Sequence, residues 1–215
     1  MCQFHTIEVL KQKYLDSLRI ISLFSIPFVG LMIVFAKPFI FIFLGEKWLP
    51  AVLPTQILTF AVGLSVLFYT SLSLFNAMGK TSFNFMINFA SLLTMSIFIY
   101  PLVTNYGVIG AALCFLIISV VNLIVWKIEI SKLIGFNIRD LNFILFPIIN
   151  TVFVIIVISF LSSWVNTYNL GVFISTIVFG GVVYFSMAFI ISRVTKFNYF
   201  QDILLIKQLI KNVNK

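Results

Sequence analysis

The sequence predicts an all-α membrane protein of about six transmembrane helices with both termini cytoplasmic. Three observations carry that reading. Apolar residues make up 61% of the 215 positions and charged residues 9%, where a soluble domain carries about 25% charged residues. Mean hydropathy is +1.15, and the apolar residues are gathered into runs long enough to cross a bilayer. The basic residues sit at the ends of those runs and alternate between them, as the positive-inside rule requires.

A span needs about 20 mostly apolar residues to cross roughly 30 Å of hydrocarbon. Its backbone must satisfy its own hydrogen bonds there, which leaves the helix as the open-chain solution. Six segments qualify: Ile20–Leu44, Ala51–Met78, Ser82–Leu102, Val108–Trp126, Leu141–Leu161 and Gly171–Ser192. The chain divides into a cytoplasmic amphipathic lead-in (1–19), four helices (20–128), two further helices (129–193) and a basic amphipathic tail (194–215).

Before the first span lie Lys11, Lys13 and Arg19, and the first loop holds only Lys47, beside Glu46. The second loop holds Lys80, and the third and fifth hold no basic residue. The fourth holds Lys127, Lys132 and Arg139, and the tail five more. Twelve basic residues fall on one side and one on the other, which puts the rich side in the cytoplasm. The apolar run after Arg19 is too long for a signal-peptide core and carries no Ala-x-Ala site. In the tail, Ile203, Ile206, Leu209, Ile210 and Val213 share a face opposite Lys207 and Lys211, the pattern of a short interfacial helix on anionic lipid.

The first span ends in Gly45-Glu46-Lys47-Trp48. A glycine stops the helix, the charges reach water and the tryptophan takes the interfacial belt. Lys37, inside that span, is harder to explain. It lies about 26 Å along from Ile20 at 1.5 Å per residue, in the outer third. A lysine at the bilayer centre costs about 2.5–3.5 kcal/mol; nearer the edge its stem snorkels at lower cost. It either snorkels beside the Pro38 kink or faces a central cavity, with Gly30 leaving room seven residues earlier.

Polar residues recur at helical spacing elsewhere. Asn84, Asn88 and Ser91, with Met95, share one face of the third span, and Gln56, Thr59 and Thr70, with Gly63, one face of the second. Either these stripes bond helix to helix, or they line a wet path. With Lys37 they are the substrate-path candidates. The small residues Gly107, Gly110, Ala111 and Ala112, and the Gly180-Gly181 pair, read as close helix packing.

Several function classes find no support. Met78-Gly79-Lys80-Thr81 lacks the earlier glycine and the strand of a phosphate-binding loop, with Leu74 in the glycine's place. No His/Cys/carboxylate cluster has metal spacing, and Cys2 and Cys114 are too unlike in setting for a disulfide. The +8 net charge is spread over span ends rather than gathered into a nucleic-acid patch. The expectation is a non-enzyme without cofactor or metal.

Four motifs follow one another along the chain: a G-x-x-W-x-x-A junction at Gly45-Glu46-Lys47-Trp48-Leu49-Pro50-Ala51, a helix end at Asn76-Ala77-Met78-Gly79-Lys80, a helix start at Tyr106-Gly107-Val108-Ile109-Gly110-Ala111-Ala112, and a G-x-x-x-Y at Phe179-Gly180-Gly181-Val182-Val183-Tyr184. In this order they resemble those of bacterial polysaccharide flippases of the multidrug/oligosaccharidyl-lipid/polysaccharide export superfamily. The resemblance implies flipping of undecaprenyl-pyrophosphate-linked oligosaccharide, such as an O-antigen unit, across the bacterial inner membrane. It also implies correspondence to the last six helices of a 12–14-helix, two-lobe transporter. The implied partners are that lipid-linked sugar, membrane lipids, and the missing amino-terminal helices or other polysaccharide-assembly proteins. Two alternatives stay open: an exporter of drugs or of other lipid precursors within the superfamily, and an assembly subunit that transports nothing.

Overall fold

The computed structural model describes residues 2–79, 81–162 and 169–194. Among them every regular element is helical. The long helices are α1 (Cys2–Leu44), α2 (Val52–Ala77), α3 (Thr81–Tyr106), α4 (Val108–Ile134), α5 (Asn142–Ser162) and α6 (Leu170–Val194). Short 3-10 turns at Glu46–Ala51 and Ile138–Leu141 join α1 to α2 and α4 to α5. All six long helices are apolar and long enough to span a bilayer, and the chain is a multi-pass membrane protein. Many of their large apolar side chains, such as Phe28, Phe85 and Ile97, are exposed, as helices facing lipid require.

The span bounds of the sequence hold to within a few residues except at two places. The lead-in and the first span form one 43-residue helix, because nothing between Cys2 and Ile26 breaks it: no proline or glycine falls there. Likewise α4 runs eight residues past Trp126, to Ile134, before Gly135 takes a left-handed conformation with φ +62° and stops it. The amphipathic tail and most of the fifth loop lie outside the described residues.

Side-by-side packing orders the helices α3–α4–α2–α1–α5–α6, with α1 near the middle and α3 and α6 at the ends. Only 6% of the α3 span is buried, against 33% for α5. Two buried clusters hold the row. One gathers Tyr14, Leu18, Phe75, Trp126, Ile130 and Phe136 where α1, α2 and α4 meet; Phe136 meets both Tyr14 and Trp126 edge-on. The other gathers Leu23, Phe35, Val154, Ile158, Phe173 and Tyr184 from α1, α5 and α6.

At the end of the molecule that bears most of the lysines, Lys11 clasps the α4–α5 connection. Its ammonium lies 2.7 Å from Asp140 Oδ2 and donates to the Gly135 carbonyl at 3.2 Å. The lead-in is therefore packed into the fold through a loop more than 120 positions away.

Candidate functional site

Pro27 and Pro38 both fall inside α1. Each lacks the N–H that the carbonyl four residues earlier would accept from, so Leu23 and Val34 lose their helical donors. In hydrocarbon there is no water to replace them. The Tyr184 hydroxyl of α6 donates to the Leu23 carbonyl at 3.0 Å. Gln56 of α2 donates from Nε2 to the Ile33 carbonyl at 2.9 Å, one residue from Val34. The carbonyl freed by Pro27 is thus served by a side chain from a neighbouring helix, and Gln56 binds α1 one residue before the carbonyl freed by Pro38. Asn150 of α5 extends the first arrangement by donating to the Tyr184 carbonyl at 3.1 Å.

The other path candidates occupy separate places. Lys37 is exposed on α1. Gly30, seven residues earlier, sits against the Thr151 and Ile155 side chains of α5, so the room beside it is filled. The Thr59 hydroxyl donates to Thr55 O at 2.7 Å and Thr70 to Val66 O at 2.9 Å, each within its own helix. Asn84 reaches Asn76 Oδ1 across the α2–α3 turn. Asn88 is exposed. The Ser91 hydroxyl lies between the Ile87 carbonyl at 2.7 Å and Asn122 Oδ1 of α4 at 3.0 Å. Gln56, Asn84 and Ser91 therefore link helices, Thr59 and Thr70 bond inward, and Lys37 and Asn88 remain open. The structure does not bring the seven into one chamber.

Three polar contacts were not among these candidates. Tyr184 with Asn150 is the first; Pro27 is its sequence signal, since a stranded carbonyl demands a donor. The second is the Ser65–Ser119 pair joining α2 to α4 at 3.1 Å, and the third the Tyr14–Ser71 pair joining α1 to α2 at 3.0 Å. Single serines and tyrosines in apolar runs carry no periodic signal that would reveal such pairs.

Two hollows lie along the α1–α2 seam. A 210 Å³ apolar one is closed on its third side by Ile144 and Ile148 of α5. A larger groove of about 650 Å³ lies at the basic end, with Lys13, Ser17, Tyr69 and Thr70 among its walls. Thr70 is the path candidate that lines it.

Among the described residues no three His, Cys, Asp or Glu side chains are placed to hold a metal ion. Asp16 pairs with Arg19, Glu129 with Lys132 and Asp140 with Lys11. The Lys11 ammonium holds the Asp140 carboxyl below its ordinary range, helped by the Asn137 backbone N–H at 2.9 Å.

Comparison with known proteins adds what the geometry alone does not give. Residues 6–53 match the model of a family described as polysaccharide biosynthesis protein. That stretch covers most of α1 and the Gly45–Ala51 junction. Over 185 residues the chain is 28% identical to an uncharacterized membrane protein in the cps region of Klebsiella pneumoniae. The aligned part is 85% of this chain and 38% of that relative. Both likenesses point to a polysaccharide biosynthesis membrane protein. The chain spans well under half the length of that relative. No solved structure matches.

Proposed function

We propose that this six-helix unit is the carboxy-terminal part of a flippase that moves a lipid-linked oligosaccharide across the bacterial inner membrane. The observation that carries this reading is the polysaccharide-biosynthesis match over residues 6–53. It falls on the helix and junction that bear the first motif of the flippase resemblance. The relative from a cps region supports the same cargo class, since lipid-linked sugars must cross the membrane before a surface polymer is assembled.

We read the helix row as a transport unit whose seams combine apolar packing with a few hydrogen bonds between helices. The basic end faces the cytoplasm, where the cargo lipid is made. The cargo is an undecaprenyl-pyrophosphate-linked oligosaccharide, and further helices complete the path.

Deleting the gene in its native host tests the reading. Surface polysaccharide should fall while lipid-linked oligosaccharide accumulates, shielded from enzymes added outside the inner membrane. Loss of polymer without that accumulation would favour an assembly subunit. Undiminished polymer and no accumulation would refute a role in export.

A further inference from the structure

The groove at the basic end of the α1–α2 seam has a chemistry that none of the preceding assignments uses. Its volume, about 650 Å³, falls in the roughly 300–1,000 Å³ range of small-molecule sites. Ile21 and Val66 supply apolar wall, and Lys13, Ser17, Tyr69 and Thr70 supply polar edge. Lys13 stands apart from its neighbours: Lys11, Arg19 and Lys132 each have a carboxylate partner, and Lys13 has none among the described residues.

The hydroxyls narrow the choice of ligand. Ser17 donates its proton to the Lys13 carbonyl at 2.9 Å, and Thr70 donates its proton to Val66 O at 2.9 Å. Each oxygen keeps lone pairs but has no proton to offer. At Ser17 and Thr70 the groove thus presents acceptors beside the one positive donor, with the Tyr69 phenol a further polar edge. A phosphodiester with a single negative charge matches Lys13, and hydroxyl groups on the same headgroup match Ser17 and Thr70. An ammonium headgroup would meet Lys13 as a like charge. A doubly charged diphosphate would leave a charge without a partner. The apolar wall formed by Ile21 and Val66 suits the beginning of an acyl chain.

We infer that this groove binds an anionic phospholipid whose headgroup carries hydroxyls, of the phosphatidylglycerol type, from the leaflet at the basic end. The site stands whether or not the chain moves a lipid-linked sugar.

Native mass spectrometry of the 215-residue chain, released from mixed phosphatidylcholine bilayers, tests the site. The bilayers contain either phosphatidylglycerol or phosphatidylethanol, which has the same phosphate charge and no headgroup hydroxyl. A basic residue near an anionic surface contributes on the order of a fivefold preference. Wild type should therefore retain phosphatidylglycerol over phosphatidylcholine by about that factor. Lys13→Gln should erase the preference, while Lys13→Arg and the distant Lys47→Gln should keep it. Thr70→Val should lower retention of phosphatidylglycerol to that of phosphatidylethanol. Equal retention of all three lipids by wild type overturns the site without any variant. An undiminished preference in folded Lys13→Gln overturns it as well. Equal wild-type retention of phosphatidylglycerol and phosphatidylethanol overturns the headgroup assignment.

Discussion

The hydroxyl of Tyr184, in the last described helix, donates to the carbonyl of Leu23, in the first. Leu23 is the acceptor that Pro27 leaves without a helical donor. A helix-breaking residue in α1 is thus offset by a phenol 161 positions beyond Leu23, and the bond ties α6 to the middle of the row. Tyr184→Phe keeps the ring and removes the donor. It should cost about 0.5–1.5 kcal/mol, near the lower end because interhelical bonds in membranes average about 0.6 kcal/mol. Pro27→Ala restores the helix's own donor, so Tyr184→Phe should be nearly silent in that background. A double-mutant cycle read by thermal unfolding in detergent measures the coupling. Additive effects would show that the phenol does not serve the proline site.

Glycine packing gives a graded series. A Cβ at Gly110 would strike the backbone carbonyl of Leu102 in α3, whereas one at Gly180 would strike the Ile158 δ-methyl of α5. Backbone yields far less than the end of an isoleucine. Gly181 has open space around its position. Alanine should therefore destabilise most at Gly110, by about 1–3 kcal/mol as overpacking does, less at Gly180, and scarcely at Gly181. Melting temperatures of the three variants check the order, and equal losses would contradict the α3–α4 approach.

The Lys11–Asp140 clasp predicts a pH dependence. Its partners hold the Asp140 pKa down in the folded state. Stability from this pair is therefore complete above the unfolded aspartate value of about 3.9. It is lost as pH falls through the folded value, because the folded state must then take up a proton it resists. Asp140→Asn should be less stable at neutral pH and should show a shallower decline on acidification. Identical acid profiles for wild type and variant would mean that the clasp adds nothing.

How much of this was legible in the sequence follows from the physics of each signal. Span number and position were, because twenty apolar residues in a row mean one thing in lipid. The stops at Gly45 and Gly135 depend on positive φ, 86° and 62°; the first was read from its neighbours, but the second was missed because α4 runs past its apolar core. The partners of polar residues were not legible. Helical spacing places Asn84, Asn88 and Ser91 on one face of α3. It gave no means of knowing that α4 would supply Asn122 to Ser91 while Asn88 stayed exposed. The order of helices across the row is likewise set by tertiary packing, which period and composition do not encode.

Orientation remains a prediction, resting on the twelve-to-one distribution of basic residues. Cysteines at Asn105, beyond the end of the Ser82–Leu102 span, and at Lys132, near the end of α4, should label from opposite sides on a chain otherwise free of cysteine. Asn105 should react in intact cells stripped of their outer barrier, and Lys132 only after lysis. The reverse pattern would invert the topology and move the Lys13 groove to the outer leaflet.

Lys37 poses the most direct test of the transport reading. It is exposed on α1 and has no carboxylate partner among the described residues. Thr151 and Ile155 fill the space beside Gly30 on the same helix. Two outcomes separate its possible roles. If the ammonium meets anionic cargo, Lys37→Ala should abolish most export of lipid-linked sugar at normal membrane abundance. Lys37→Arg should then retain part of it, since a planar guanidinium keeps the charge but not the geometry of a point ammonium. If the stem only carries the charge to the outer headgroups, Lys37→Ala should export normally, and Lys37→Leu should be at least as abundant because it removes the insertion cost, an upper limit of about 2.5–3.5 kcal/mol. Parallel measurement of exported polymer and of protein in the membrane distinguishes the two. We expect the second pattern, because in the outer third of its span the stem reaches the headgroups at a lower cost than at the bilayer centre, and the other path candidates are not gathered beside it.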